Sequence, residues 1–461
     1  MINRFVAGCL LILGAGFCLS ASAGNSEAQN LFETFNDRIY QIRVLEAGSG
    51  TKTSVGSGFA IAADGLLATN YHVVSDWVQH PKRYRLEYID NTGKAGELRV
   101  VDVDVINDLA LVQRDVTEQT YLELSSNIPQ RGAEAYSLGN PRDLGMTVVH
   151  GTYSGFVERS FYRRILFSGA MNPGMSGGPT LDADGEVFGV NVATSGNGIG
   201  FLVPVDKLHA LIKQYRSNPQ TQDSLKTRIH AQLKNNQQRF MDILLDAKWP
   251  TIDVGRAKVI GEMAKFARCW GESTQAGADN NKELVSTVRS LCTHNEYIYL
   301  GRDFTTGGLE YEFTSVETDQ LSSSQFYARY EGMIGSVNSV NKVKEGKVSN
   351  FSCHEAFVDN NVAIEAQQDA QKIAEEKAAK AHKKTSKKTA AVVSPIKPMI
   401  MRVSLCTRAY ADFDDLYDVL FIGATVNHKK QGLVAHFTLA GVDKNLAMKF
   451  SKKFMENIQW K

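Results

Sequence analysis

The chain has 461 residues and an even balance of charge, with 51 Lys and Arg residues against 50 Asp and Glu residues. Its length is enough for about two or three domains with ample cores, and its 43% hydrophobic and 22% charged residues are ordinary for a globular protein. A net charge of +1 argues against a nucleic-acid partner bound through bulk charge.

Residues 1–23 are predicted to be a secretory signal peptide. Arg4 supplies a basic start, the apolar run Phe5–Leu19 is too short to span a membrane, and Ala21-Ser-Ala23 is a small-residue cleavage site. Cleavage after Ala23 would place the mature chain in the periplasm or outside the cell. No second apolar run follows that is long enough for a stable membrane span.

The next part of the chain is predicted to be rich in β-strands. After a short helix over residues 26–36, short runs of Val, Ile, Tyr and Leu broken by Gly, Asp and Asn extend from Ile39 to about Gln113. A second set extends from about Ala133 to Val205. This pattern is typical of antiparallel barrels. The predicted fold of residues 24–215 is therefore an all-β double barrel with an active-site cleft between the barrels.

Three polar residues stand out within these segments: His72, Asp108 and Ser176. Taken alone, His72 fits a core histidine, and the Gly-Ser-Gly triplet around Ser176 fits a plain loop. Asp108 interrupts an apolar run, where a carboxylate is costly unless it is paired. The order His, Asp, Ser is that of the chymotrypsin-type triad, in which the serine attacks, the histidine takes its proton and the aspartate orients the imidazole.

A competing interpretation uses the same serine. Gly174-Met-Ser-Gly-Gly178 also satisfies G-x-S-x-G, the nucleophile elbow of α/β-hydrolases. That fold places its Asp and His after the serine and alternates strands with helices. Because the segments here are short, β-branched and punctuated by Gly, the double barrel is the preferred prediction.

Several motifs within roughly residues 30–215 resemble those of the HtrA (DegP-like) family of trypsin-like serine proteases. They are Gly56-Ser-Gly-Phe59, Thr69-Asn-Tyr-His-Val-Val74, Asn107-Asp-Leu-Ala-Leu111, Asn172-Pro-Gly-Met-Ser-Gly-Gly178, Gly185–Asn191 and Ile199–Pro204. The family usually carries a PDZ domain after the protease, and none is recognisable in this sequence. The resemblance implies polypeptide substrates, such as unfolded or misplaced proteins of the bacterial envelope, and assembly into trimers. No cofactor or metal is expected.

The remaining parts of the active site are predicted around Ser176. The backbone N–H groups of Gly174 and Ser176 are the expected oxyanion donors, since glycine permits the tight turn that aims them. By the resemblance, the pocket for the residue before the cleaved bond is lined by Met171, Val192 and Ile199, although each also fits an ordinary core position. Ala170 stands where a pocket for basic residues needs Asp, so we expect cleavage after small or medium apolar residues.

Two loops are expected near this site, Leu138–Arg142 and Gly151–Arg164. The arginines of the second loop either bind an acidic group or belong to a solvated loop; they are Arg159, Arg163 and Arg164.

Helices are predicted beyond the protease region. Residues 216–250 are expected to be a helical linker, because apolar residues recur there at near-helical spacing: Leu225, Ile229, Leu233, Phe240 and Leu244. A further helix is predicted from Arg256 to Trp270.

The rest of the chain is predicted to be an α+β region built from a tandem repeat, with copies over residues 251–345 and 346–461. Ser290-Leu-Cys-Thr293 recurs as Ser404-Leu-Cys-Thr407. Further matches follow in the same order, with Phe313, Thr314, Asp319, Phe326, Tyr330 and Ile334 aligned to Phe437, Thr438, Asp443, Phe450, Phe454 and Ile458. The last three of each set are spaced by fours and share one helical face. Each copy is therefore predicted to end in a helix packed on strands.

Four of the six cysteines lie beyond the signal peptide: Cys269, Cys292, Cys353 and Cys406. An even count in an exported chain indicates disulfides, while zinc is the alternative that the absence of any C-x-x-C pair disfavours. The repeat predicts the pairs Cys269–Cys292 and Cys353–Cys406, and the other two connectivities stay open.

A Lys/Ala-rich insert, residues 365–397, interrupts the second copy. Its first half favours helix and its end favours a solvated tether. The basic stretch Lys380–Lys388 either contacts anionic envelope material or is a solvated loop.

The predicted function is that of an exported serine endopeptidase. The alternative from another class is a non-proteolytic chaperone or binding protein that uses the protease fold as a scaffold. The intact set of His72, Asp108 and Ser176 favours the enzyme. For the C-terminal region, regulation, oligomer contact and substrate capture all fit the sequence.

Overall fold

The computed structural model describes residues 27–196, 198–277, 283–337, 341, 343–349, 351–359, 372 and 398–461. The predicted signal peptide and all of the insert except Lys372 lie outside the described residues.

The first sheet contains seven antiparallel strands in the order β5-β4-β1-β2-β3-β7-β6. The strands are β1 (Ile39–Glu46), β2 (Lys52–Ala60), β3 (Leu66–Thr69), β4 (Tyr84–Ile89), β5 (Ala95–Glu97), β6 (Arg99–Asp104) and β7 (Leu109–Gln113). Helix α1 (Glu27–Phe35) and a 3-10 turn (Asn36–Arg38) precede the sheet. Helix α2 (Tyr71–Gln79) connects β3 to β4.

The second sheet is a closed barrel in the order β10-β13-β12-β11-β8-β9. Its strands are β8 (Glu134–Gly139), β9 (Thr147–Phe156), β10 (Ile165–Ser168), β11 (Pro179–Leu181), β12 (Val187–Gly196) and β13 (Ile199–Pro204). A 3-10 turn (Pro141–Asp143) follows β8. The closure agrees with the predicted barrel, whereas the first sheet has free ends at β5 and β6 among the described strands.

One hydrophobic core joins the two sheets. Ile39 and Phe59 of the first sheet share it with Leu181 and Val203 of the second. Helix α3 (Val205–Ser217) covers this core with the buried side chain of Leu208. Because removing apolar surface from water is the main favourable contribution to folding, this shared core fixes how the sheets face each other and so fixes the cleft between them.

The segment predicted to be a linker is a packed helix, α4 (Gln222–Asp246). Its first half buries Leu225 and Ile229 in the core of the first sheet. Its second half buries Phe240 and Leu244 in the core of the C-terminal region. The helix therefore ties the two regions together along its length.

The C-terminal region is built on a seven-stranded antiparallel sheet in the order β16-β17-β20-β24-β23-β22-β21. These strands are β16 (Arg268–Thr274), β17 (Ser286–His294), β20 (Leu309–Glu317), β21 (Ser352–Asp359), β22 (Ile400–Ala409), β23 (Tyr417–Thr425) and β24 (Gln431–Val442). A two-stranded hairpin, β18 (Ile298–Gly301) and β19 (Phe304–Thr306), and a three-stranded sheet, β14 (Thr251–Val254), β15 (Ala257–Ile260) and β25 (Gln459–Trp460), complete it. Two helices accompany the sheet, α5 (Ser323–Gly335) and α6 (Lys444–Glu456).

The helix predicted from Arg256 to Trp270 is wrong. The segment instead contains β15 and the start of β16. β15 pairs with Gln459–Trp460 at the far end of the chain, and its Val259 and Ile260 are fully buried. Burial against a distant partner therefore overrides the local helical pattern.

Both predicted cysteine pairs are joined in the structure. Cys269 is bonded to Cys292 and Cys353 to Cys406. In each pair the two cysteines lie directly opposite each other on neighbouring strands. The disulfides therefore fasten the two edge strands, β16 and β21, to the sheet.

The two proposed copies share this one sheet, and the tandem repeat stays a prediction. Helices α5 and α6 follow the equivalent strands β20 and β24. However, β23 lies between β22 and β24, whereas β17 pairs directly with β20. Asp443 caps α6, but the cap of α5 is Ser322 and not Asp319.

Candidate active site

His72 and Asp108 form a hydrogen-bonded pair at the edge of the first sheet. His72 lies in the first turn of α2, directly after the strand that ends at Thr69, and not in a strand as its apolar neighbours indicated. Its Nδ1 lies 2.7 Å from Asp108 Oδ2, and its backbone N–H donates to Asp108 Oδ1 at 2.9 Å. Because both carboxylate oxygens are engaged by one residue, the imidazole is held in a single orientation.

The backbone around Asp108 is adapted to this role. Asp108 has φ = 60°, in the left-handed region that non-glycine residues rarely adopt. The carbonyl oxygen of Asp108 accepts hydrogen bonds from the side chain of Asn70 at 2.8 Å and the N–H of Tyr71 at 3.3 Å. These bonds anchor the turn on the same segment that carries His72, which compensates for the unfavourable backbone conformation.

The electrostatic setting of the pair favours a charged imidazole. Burial lowers the pKa of His72, but the attraction and the hydrogen bond of the Asp108 carboxylate outweigh it, so the pKa of His72 is raised above its ordinary value. The side chain of His72 is still 30% exposed. A substrate can therefore reach it from the cleft.

Ser176 lies in a tight turn of the second barrel, against the first sheet. Its carbonyl oxygen accepts from the N–H of Ser57 at 2.8 Å. Gly177 has φ = +85°, and a Cβ at this position would lie 2.3 Å from Thr69 Oγ1. Glycine is therefore required after the serine, both for the backbone conformation and for the close approach of the two sheets.

The hydroxyl of Ser176 forms no hydrogen bond with the imidazole of His72 in this structure. Its Oγ donates to the carbonyl oxygen of Val192 at 3.1 Å. Val192 lines the same cavity as His72 and Asp108, so the hydrogen-bond partner of the Ser176 hydroxyl borders the cleft that contains the His72–Asp108 pair. Rotation about χ1 of Ser176 would turn the hydroxyl away from the Val192 carbonyl.

Two backbone N–H groups are positioned beside the serine. Among the hydrogen bonds of the described residues, none uses the N–H of Gly174 or of Ser176 as a donor. Gly174 has φ = +98°, and a Cβ there would lie 2.4 Å from the carbonyl oxygen of Asn140. The N–H of Arg142 donates to the carbonyl oxygen of Pro173 at 2.8 Å, which fixes the peptide that carries the Gly174 N–H.

Buried polar side chains that the sequence did not single out hold this turn. Ser57 Oγ donates to the carbonyl oxygen of Gly174 at 2.8 Å and accepts from the N–H of Asn140 at 2.9 Å. Asn191 is fully buried, and its side-chain amide donates to the carbonyl oxygens of Leu138 and Met175. Buried amides and hydroxyls that are satisfied in this way make a backbone rigid.

The three residues expected to line the substrate pocket occupy different environments. Met171 is buried in the core of the second barrel, next to Phe167. Val192 borders the catalytic cleft. Ile199 is 41% exposed, at the start of β13. Val192 therefore borders the cleft around His72, whereas Met171 is a core residue of the second barrel and Ile199 lies on the surface.

The C-terminal region reaches the catalytic cleft through β18. Tyr299 lies edge-on to His72, with ring centroids 6.1 Å apart. The carbonyl oxygen of the next residue, Leu300, accepts from Tyr71 Oη at 3.0 Å and from Gln79 Nε2 at 3.3 Å. No pattern in the sequence connects residue 299 to residue 72, and only the packing of β18 against α2 reveals the contact.

Comparison with known proteins finds similarity to serine proteases over part of the chain. Residues 56–190 match the family model of the trypsin-like peptidase domain. The chain is 31% identical over 225 residues to the putative protease Do-like 14 of Arabidopsis thaliana, covering 44% of this chain and 52% of that protein. It is 31% identical over 220 residues to a probable periplasmic serine endoprotease, DegP-like, of Chlamydia trachomatis, covering 43% of each chain.

A solved serine endoprotease from Yersinia pestis aligns with 41% of this chain and 67% of its own, with 22% identity and a TM-score of 0.37. The chain spans about half the length of the curated relatives described above, at 52% and 43%. Residues 56–190, which match the family model, include His72, Asp108 and Ser176.

Proposed function

We propose that this chain, whose residues 56–190 form a trypsin-like peptidase domain similar to those of the HtrA (DegP-like) proteases, is a serine endopeptidase. The observation that carries the proposal is the double contact of Asp108 with His72, through Nδ1 at 2.7 Å and the backbone N–H at 2.9 Å. This contact leaves Nε2 of His72 as the basic nitrogen, in a cleft that is also bordered by Val192, whose carbonyl oxygen accepts the Ser176 hydroxyl.

In the proposed mechanism His72 acts as a general base. Substrate entering the cleft displaces the Ser176 hydroxyl from the Val192 carbonyl, and the hydroxyl then donates to Nε2 of His72. Catalytic hydrogen bonds are often formed only once the substrate is bound. As Oγ attacks the peptide carbonyl, Nε2 takes its proton, and Asp108 stabilises the imidazolium that results.

The next steps depend on the turn around Ser176. The negative charge that develops on the carbonyl oxygen is stabilised by the N–H groups of Gly174 and Ser176. His72 then gives its proton to the leaving amine, and an acyl-enzyme remains on Ser176. Water activated by His72 hydrolyses this ester and restores the enzyme.

The proposed substrates are unfolded or misplaced polypeptides of the bacterial envelope, cleaved after small or medium apolar residues. The Chlamydia relative is described as probably periplasmic, which supports export of this chain, as does the predicted signal peptide. Within the described residues, no helix is both long and apolar enough to cross a bilayer. Assembly into homotrimers is proposed from the family resemblance alone.

Labelling with a fluorophosphonate tests the proposal directly. The wild-type chain is expected to incorporate the probe, and Ser176→Ala and His72→Ala are expected to lose it. Ser54→Ala is the matched control, because Ser54 lines the same cleft as His72 but has no catalytic role in the proposal. Labelling that survives Ser176→Ala would contradict the mechanism. Absent labelling with retained binding of unfolded chains would favour the chaperone alternative.

A further inference from the structure

A large cavity lies where the C-terminal region faces the second barrel. This inter-region cavity has a volume of about 570 Å³ and is bordered by Arg164 and Phe201 on the barrel side and by Phe266, Arg268, Trp270 and Tyr297 on the C-terminal side. Its volume is within the range of about 300–1,000 Å³ that is usual for ligand sites. Asp108, Val192 and Tyr299 border both this cavity and the cleft around His72, so the two are continuous.

The wall supplied by the C-terminal region is fixed in place. Besides the hydrogen bonds to Leu300, Arg302 Nη2 donates to the carbonyl oxygen of Thr53 in β2 at 3.0 Å. Ile298 and Leu300 are buried in the core of the first sheet together with Tyr71 and Val74. The cavity is therefore a constant part of the molecule and not a gap between loosely associated parts.

Two exposed side chains project from the edge strand β16 into this cavity. Trp270 is 68% exposed, which is unusual for a tryptophan. Arg268 is also exposed, and side chains alternate along a strand, so both lie on the face opposite to Cys269. The disulfide from Cys269 to Cys292 holds this strand against β17. Thus Arg268 and Trp270 are presented by a rigid edge.

The charged side chains around the cavity differ in whether they have hydrogen-bond partners within the described residues. Arg159 is occupied by Glu262, whose carboxylate lies 2.6 Å away, and by the carbonyl oxygen of Lys265. The Glu296 carboxylate accepts from Ser160 Oγ and from the N–H of Phe161. In contrast, the guanidinium of Arg268 has no hydrogen bond or ion pair among the described residues. The pKa of the nearby Glu262 carboxyl is lowered mainly by its hydrogen bond to Arg159 and to a smaller extent by the charge of Arg268, so this carboxylate is already engaged by Arg159.

Arg164 adds positive charge behind the cavity. Its Nη2 donates to the carbonyl oxygen of Ile106 at 3.4 Å, and its Nη1 is buried without a hydrogen-bond partner. A buried cation raises the potential of nearby space more than an exposed one, because fewer water molecules screen it. The carboxylates of Asp108, Glu296 and Asp104 already interact with Arg164, so an anion in the cavity is expected to pair with Arg268, beside the aromatic rings of Trp270 and Tyr297.

We propose that the inter-region cavity is a second substrate pocket, which recognises an acidic side chain of the polypeptide a few residues from the cleaved bond. The carboxylate pairs with the guanidinium of Arg268, and neighbouring apolar side chains of the substrate pack on Trp270 and Tyr297. The proposal rests on the proposed protease function, since the polypeptide is the ligand that continues from the catalytic cleft. It assigns the C-terminal region a part in substrate selection.

Binding without turnover tests the pocket separately from catalysis. The full-length Ser176→Ala chain is mixed with fluorescent peptides in which Glu, Gln or Lys is placed at successive positions on either side of a cleavage site, and anisotropy gives the Kd. At one position Glu is expected to bind about tenfold more tightly than Gln, and Lys more weakly, because charge-assisted hydrogen bonds are the stronger kind. The preference for Glu is expected to weaken at high salt.

Three further variants test whether the preference for Glu depends on Arg268. Arg268→Glu is expected to reverse the preference, so that the Lys peptide binds more tightly than the Glu peptide, and Arg268→Lys is expected to retain part of it. Arg329→Glu is the matched control, because Arg329 is exposed on α5 and does not border the cavity. Equal affinities for Glu, Gln and Lys at every position, or an unchanged preference in Arg268→Glu, would overturn the proposal.

The labelling experiment keeps this result distinct from the protease assignment. If the wild-type chain fails to react with the fluorophosphonate while the Glu preference is present, the pocket stands and the proposed function fails. If labelling is normal and the Glu preference is absent, only the pocket fails.

Discussion

The ring of Tyr299 stands perpendicular to the imidazole of His72, with a centroid separation of 6.1 Å and an angle of 77° between the ring planes. The two residues belong to different regions, and β18 brings them together by packing on α2. A tyrosine of the C-terminal region therefore borders the cleft next to His72, the proposed general base.

Removing this ring should change which side chains the cleft accepts. We compare peptides with Phe and with Ala at the substrate position that would lie next to Tyr299. Tyr299→Ala is expected to change the ratio of their kcat/KM values by about tenfold in favour of Phe, because the size of a pocket discriminates between side chains to that extent. Tyr299→Phe keeps the ring and should keep the wild-type ratio. The measurement is kcat/KM over a matched peptide series.

Tyr327→Ala is the control for this change, since Tyr327 is 43% exposed and lies on the distant helix α5. An unaltered ratio in Tyr299→Ala would show that the ring does not border a substrate position.

The raised pKa of His72 predicts the acid side of the pH profile. The base must be neutral, so kcat/KM should increase with pH through an apparent pKa above the ordinary value of about 6.5. Asp108→Asn removes the charge that raises the pKa and should move this limb to lower pH. The same variant should lose about 10⁴-fold in kcat, since the imidazole is no longer held in the productive tautomer. A limb that stays in place in Asp108→Asn would exclude His72 as the titrating base.

Ser57→Ala tests the support of the oxyanion turn. It removes the hydrogen bond to the Gly174 carbonyl and leaves that oxygen and the Asn140 N–H unsatisfied. The free energy of unfolding is expected to fall by about 1–3 kcal/mol. The kcat is expected to fall about tenfold with little change in KM, because the N–H groups of Gly174 and Ser176, which the bond helps to position, are proposed to act in the transition state.

Urea unfolding and steady-state kinetics measure these two effects. The exposed Ser49→Ala provides the control, since Ser49 only bonds within its own turn. A normal kcat in Ser57→Ala would mean that the turn does not need this bond.

Asp102 predicts a pH dependence of stability. Its side chain is fully buried in β6, with Oδ2 3.3 Å from Nη1 of Arg228 in α4. Burial raises its pKa to about 6, and the hydrogen bond from Val103 and the charge of Arg228 only partly oppose this. The folded state therefore binds the proton more tightly than the unfolded chain does. The free energy of unfolding should fall as pH rises from about 4 to about 6, by roughly 3 kcal/mol from this residue.

Asp102→Asn is expected to flatten this dependence when the free energy of unfolding is measured by urea titration across that pH range. Asp242→Asn, at an exposed position of α4, should leave the slope unchanged. Identical slopes in the wild type and in Asp102→Asn would contradict the assignment.

Part of the fold could be predicted because its patterns are local. Runs of β-branched residues between glycines indicated the strands of both sheets, and apolar residues at helical spacing indicated α4. The helix predicted from Arg256 to Trp270 was wrong because β15, in this segment, pairs with Gln459–Trp460. A strand whose partner lies at the other end of the chain leaves no short-range pattern. Among the strands that the structure describes, the first sheet differs from the predicted barrel in having unpaired edges at β5 and β6.

The sequence by itself determined the candidate reactive groups: a serine among glycines, a histidine, and an aspartate in an apolar run, in the order of the chymotrypsin-type triad. The sequence sufficed for this because such motifs are recognised from residues that lie only a few positions apart. The tertiary structure alone decided that the Ser176 hydroxyl points to Val192, that Ser57 and Asn191 hold its turn, that Tyr299 borders the cleft around His72 and that Arg268 borders the inter-region cavity. Those contacts join residues far apart in the chain. Their formation depends on how whole sheets pack, which no local spacing encodes.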